Sequence, residues 1–242
     1  MKVSGGKAIY GASVGILMLE AQFPRIPGDM GNALTWPFPV HYRVIKGAAP
    51  DLVVRQGAPA LLNKFIEAGQ ELVAMGVRGI TTNCGFLGVF QSRLQDALNV
   101  PVAASSLMQV AMVRAILPAH QHVGILTISA ETLTHEHLSA SNVPMDTPIE
   151  GTDSGVEFTD AILGNRLTLD IDASRRDLIE AARRLQHRTP NLGAIVLECT
   201  NMCPYATDIA EDTGLPVYSI YDFVCWFQSG LSPRRFSPAL HP

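Results

Sequence analysis

Two cysteines in matching surroundings are the residues of this chain best suited to chemistry. The stretch Thr81-Thr82-Asn83-Cys84-Gly85-Phe86 follows an apolar run and precedes an amphipathic one. The stretch Leu197-Glu198-Cys199-Thr200-Asn201-Met202-Cys203-Pro204-Tyr205 has the same setting. Each of Cys84 and Cys199 therefore falls at a strand-to-helix turn. At a helix start, free N–H groups and the helix dipole favour a thiolate and also bind a carboxylate. A thiol ionises in water at roughly 8.5, so lowering that value makes it a usable general base. Asn83, Gly85, Thr127, Ser129, Thr200 and Asn201 supply short donors and open backbone beside the thiols, and are the expected substrate-binding residues. The pattern predicts a site that holds an acid's carboxylate with Cys84 and Cys199 on either side of its α-carbon. One thiol would be ionised and the other protonated.

Other reactive side chains have blander readings. Cys203 stands four positions after Cys199, with no second pair and no nearby His, so zinc is not expected. Cys225, within Phe223-Val224-Cys225-Trp226-Phe227, reads as core. His135 and His137 read as a solvated helix face, and Asp29 and Asn32 as turn residues. No G-x-G-x-x-G or phosphate loop occurs, so no nucleotide cofactor is expected.

The elements that must position the thiols come in two sets. Cys199 follows Cys84 by 115 positions, and Pro216 follows Pro101 by the same 115. Val14-Gly15-Ile16-Leu17 recurs as Val123-Gly124-Ile125-Leu126, 109 positions later. This predicts two related α/β halves. The alternative is one doubly wound domain whose strands look alike. Strands are expected over 8–19, 42–46, 77–82, 100–104, 123–127, 147–152, 193–198 and 217–220. Helices are expected over 57–75, 88–98, 105–116, 130–139, 174–187, 204–212 and 221–228. Such alternation means a parallel sheet covered on both faces, with ligands bound beyond the carboxyl ends of its strands. Cys84, Cys199, the 127–129 turn and the long Pro- and Gly-rich loop 20–40 all reach that rim.

Composition sets further bounds. With 242 residues, 47% hydrophobic and 17% charged, the chain is too apolar for disorder and large enough for real cores. A net charge of -4 without a basic cluster argues against nucleic acid as a partner. The apolar run at 14–19 is too short to span a bilayer, and the four cysteines form no disulfide framework. A cytoplasmic protein with free thiols is expected.

At its two cysteine stretches the chain resembles the aspartate/glutamate racemase superfamily. That family carries Asn-Cys after a strand and, in its second half, Leu-Gly-Cys-Thr-His followed by Pro. Asn83-Cys84 matches the first motif, and Leu197, Cys199, Thr200 and Pro204 match the second. The resemblance implies two pseudosymmetric, flavodoxin-like three-layer domains, a site at their interface, no PLP and no metal. It also implies a C-terminal segment that returns to the first domain, giving halves of 1–105 with 216–242 and of 106–215, and assembly into a homodimer or higher homo-oligomer. Racemases of the family use both cysteines, whereas its decarboxylases keep only the second. The expectation is therefore a cofactor-independent amino-acid racemase or epimerase acting on a small carboxylate or a hydantoin. A maleate isomerase-like or decarboxylase-like enzyme on a dicarboxylate, and a non-catalytic acid-binding or redox-responsive protein, are the alternatives. Asn201 stands where the family has His, and Glu198 where it has Gly, so glutamate and aspartate are not favoured as substrates. Trp36 and Phe38 would offer a less polar wall if loop 20–40 closes over the pocket.

Overall fold

The computed structural model describes residues 2–57 and 59–236. Strands β1 (Val14–Leu19), β3 (Gly79–Thr82) and β7 (Leu192–Leu197) are buried at every residue. A strand with no polar face needs cover on both sides, and a parallel sheet between helix layers supplies it. The first sheet runs β2 (Val40–Ile45), β1, β3, β4 (Val102–Ala103). The second runs β6 (Ile149–Gly151), β5 (His122–Thr127), β7, β8 (Val217–Tyr218). All pairings in both are parallel. The two sheets share one strand order, with β3 and β7 in equivalent places. That is the α/β architecture of two three-layer halves, not one doubly wound sheet.

Nine α-helices occur among the described residues: α1 (Pro50–Gln56), α2 (Leu62–Met75), α3 (Gln91–Leu98), α4 (Gln109–Ile116), α5 (His135–Ala140), α6 (Phe158–Leu163), α7 (Ile171–Arg188), α8 (Ala206–Thr213) and α9 (Ile220–Leu231). None is long and apolar enough to cross a membrane. The helix expected over 57–75 is α2, which starts only at Leu62 after a 3-10 turn over Pro59–Leu61; α1 before it was not expected, and Pro50 starts it and Gly57, at φ +66, ends it. The helices expected after the two cysteines each begin as a 3-10 turn, over Gly85–Phe90 and Thr200–Tyr205, before α3 and α8 continue them.

The last elements cross between the halves. β8 pairs with β7 in the second sheet, so the crossing comes after Tyr218 rather than at 216. Helix α9 then packs on the first sheet. Its Ile220, Phe223 and Val224 are buried with Val14, Ile16, Met18 and Ala103. Gly79 admits this approach: a Cβ there would lie 2.6 Å from both Phe227 Cζ and Leu231 Cδ1. Ser219 and Asp222 form a capping box that starts the helix.

Candidate active site

Each cysteine is the residue just before its 3-10 turn, held in extended backbone at the carboxyl end of a central strand. N–H groups at the start of each turn act on the sulfurs, although that of Leu87 also donates to the Cys84 carbonyl at 3.0 Å. Cys84 meets the N–H groups of Phe86 and Leu87, and Cys199 meets that of Asn201. Both thiols line one pocket between the halves, with Asn83, Gly85, Thr200 and Asn201 around them. Four of the six expected substrate-binding residues are thus brought together.

The two turns are also locked to each other. Thr200 Oγ1 donates to the Asn83 carbonyl at 2.6 Å, and Asn83 Oδ1 accepts from Leu19 N at 2.7 Å. Gly85 sits so close to Glu198 that a Cβ would collide with its Oε1 and lie 2.6 Å from its carbonyl oxygen. Only glycine allows this approach. The loop after β1 closes over the site: Phe23 and Arg25 form part of the wall. Asn201 Nδ2 donates to Asp29 Oδ2 at 2.5 Å, which turns its Oδ1 toward Cys199 Sγ at 3.6 Å. Asp29 also accepts from Arg25 Nη1 at 2.7 Å.

Several expected positions stand elsewhere. Thr127 lies behind the wall and donates to Glu198 Oε2 at 2.8 Å, and Ser129 is buried beside Ile128, which forms the wall in its place. Trp36 packs against Phe38 and Tyr221 in the core under the first sheet; the rings that line the pocket are Phe23 and Phe86. His137 is buried rather than solvated, with its ring 4.9 Å from that of Phe86 and its Nδ1 taking part in the α5 cap. Cys225 is only half buried.

The electrostatics reverse one expectation. Burial, and then the charge of Glu198, push the Cys84 thiol up to about 12. The same two causes raise Cys199 well above an ordinary thiol. Desolvation outweighs the N–H groups because the pocket is closed and holds a carboxyl group. Burial raises Glu198 itself to about 7. Its Oε1 and Nη2 of Arg25 are buried without a hydrogen-bond partner. Neither residue was expected in the site. The signals were a charged residue closing the apolar run 192–197, and a lone cation in the rim loop.

No family model matches the chain. Among solved structures, arylmalonate decarboxylase superposes with a TM-score of 0.59 at 15% identity, over 93% of this chain and 96% of that one. Aspartate racemase of Picrophilus torridus gives 0.53 at 11% identity, over 93% and 96%. The chain shares its fold with these two proteins, as expected from the resemblance. Its sequence relatives carry a different activity in their names. It is 28% identical over 217 residues to dimethylsulfoniopropionate lyase 7 of Emiliania huxleyi (strain CCMP1516), which covers 85% of this chain and 63% of that protein. It is 26% identical over 218 residues to dimethylsulfoniopropionate lyase of Durusdinium sp. clade D, covering 86% and 71%. The chain thus spans less than two thirds of the first of these relatives. These relatives are lyases, which overturns the expected isomerase and the amino-acid racemase reading with it. The physical reason is that paired thiols on this fold report a place for proton transfer, not which bond breaks once the proton has left.

Proposed function

We propose that this chain is a lyase that cleaves dimethylsulfoniopropionate or a closely similar β-sulfonio carboxylate. The observation that supports it best is the convergence of two thiols and an unpartnered guanidinium nitrogen in one pocket, in a chain whose relatives carry that activity in their names. Arg25 Nη2 takes the substrate carboxylate, a strong charge-assisted contact. A thiolate removes a proton from the adjacent carbon. The C–H electron pair becomes the new double bond, and the C–S bond breaks with its pair going to sulfur. Acrylate and neutral dimethyl sulfide result, and the thiol keeps the proton until solvent takes it. The sulfide needs no acid to leave. One proton acceptor suffices, so the two cysteines do not share the symmetric duty they would have in a racemase. Burial and Glu198 hold both thiols protonated. A sulfonium charge arriving beside them offsets Glu198 and brings a thiolate within reach.

The test is headspace dimethyl sulfide after incubation of the purified chain with dimethylsulfoniopropionate. Cys84→Ala and Cys199→Ala are each expected to lower kcat by about 100-fold or more, the scale of a lost proton-transfer group. Cys225→Ala, outside the pocket, is expected to retain activity. A folded wild-type chain that releases no dimethyl sulfide sinks the reading.

A further inference from the structure

Glu198 is a charged residue in a place that ordinarily excludes charge. It follows the last residue of a fully buried strand, is itself 0% exposed, and lines the pocket. Thr127 satisfies Oε2, and Oε1 has no hydrogen-bond partner. Among the described residues Glu198 has no salt-bridge partner either. A buried carboxylate without a cation is costly and is retained where something pairs with it. Arg25 is the complementary case: Nη1 is held by Asp29, while Nη2 is buried and unpartnered in the same pocket. Cys84 lines the same pocket, and the two charges act on it in opposite directions, Glu198 raising it and Arg25 lowering it. The pocket therefore presents one free negative atom and one free positive atom around a thiol.

We propose that Glu198 selects a cationic leaving group: its Oε1 receives the onium centre of a zwitterion whose carboxylate is held by Arg25. This rests on the lyase reading, and it names the feature that sets the substrate apart from a dicarboxylate. A second substrate carboxylate would face Glu198 and be repelled. An onium centre bears its charge behind methyl groups, which suits the apolar wall of Leu19, Val54, Phe86, Ile128 and Ile162. A general-acid role for Glu198 has no task here, because a sulfide departs neutral. A dicarboxylate or amino-acid substrate would leave Oε1 without a matched methylated cation.

The decisive measurement is direct binding by calorimetry of two probes, 3-(trimethylammonio)propanoate and 4,4-dimethylpentanoate. They have the same shape and carboxylate and differ only in carrying a positive nitrogen or a neutral carbon. The wild-type chain is expected to bind the cationic probe about tenfold tighter or more, the scale of one desolvated charge contact. Glu198→Gln is expected to remove that preference by weakening the cationic probe alone. Arg25→Gln is expected to weaken both probes alike. Affinity for the cationic probe, and not the neutral one, is expected to rise with pH through about 7 as Glu198 ionises. Thr127 donates to Glu198, and the titratable and charged groups that line the pocket with it are Cys84, Cys199 and Arg25, with Asp29 holding Arg25.

Equal binding of the two probes by the wild-type chain overturns the proposal without need of any variant. So does a Glu198→Gln chain that loses both probes equally. Dimethyl sulfide release, measured on the same samples, keeps the two readings apart. Charge preference without release sinks the lyase reading and supports recognition of a zwitterion. Release without charge preference supports the lyase reading and overturns the role of Glu198.

Discussion

Glu198 makes the behaviour of single residues in this pocket measurable through stability as well as activity. Its folded value lies near 7 against 4.5 for an ordinary glutamate, because it is buried. Between those values the folded chain keeps a proton that the unfolded chain has lost. Stability therefore falls as pH rises from about 4.5 to about 7 and is level above. The shift corresponds to roughly 3 kcal/mol. Glu198→Gln is expected to need more urea than wild type to unfold at pH 8, with the gap closing as pH falls toward 4.5. A gap independent of pH would show that the carboxyl group is not buried as a charge. Arg25→Gln is expected to raise KM for dimethylsulfoniopropionate about tenfold or more while moving kcat far less, since it removes a contact made before the proton moves. At this scale the sequence disclosed Asn83, Cys84, Gly85, Cys199, Thr200 and Asn201, because strand ends in a parallel sheet all point to one rim. Arg25 was hidden because the path of an irregular loop is set by what it docks on. Thr127 ends β5 at that rim, but a strand residue faces either the pocket or its wall, and Thr127 turned to Glu198.

Elements explain why the site is narrow. Two 3-10 turns meet through a hydroxyl-to-carbonyl bond and through the bare backbone of Gly85. Gly85→Ala is expected to push Glu198 aside, costing about 1–3 kcal/mol as overpacking does and lowering dimethyl sulfide release with it. Thermal unfolding and headspace assay on one preparation check both effects, and a variant normal in both would mean that the turns yield. The apolar runs that became β1, β3, β5 and β7 were plain in the sequence, since strands covered on both faces keep no alternation. Helix α6 was not legible: six residues are too few to display a period. The 3-10 starts were hidden for a related reason. Gly85, Gly88 and Pro204 weaken α geometry in the first turn, and packing between the halves then selects the tighter winding.

On the scale of the whole molecule, the equal offsets in the sequence are the trace of one four-stranded unit used twice, with the reacting groups in the seam. Those offsets do not carry the crossing of the chain. Helix α9 comes after the last strand of the second sheet yet supplies the cover for Val14, Ile16 and Met18 of the first. Between α4, which packs on β5 and β7 of the second sheet, and β5 itself lies a thin exposed passage at Pro118, Ala119 and His120. Cutting the chain there separates a first piece that lacks its own lid from a second piece that carries it. Neither is expected to be well behaved alone, because each leaves an apolar face bare. Mixed or co-expressed, they are expected to clip together into a working enzyme, and trimming the second piece before Ile220 is expected to prevent it. On the proposed lyase reading, the two pieces would then serve as a reporter, with a volatile sulfide announcing that the parts have met.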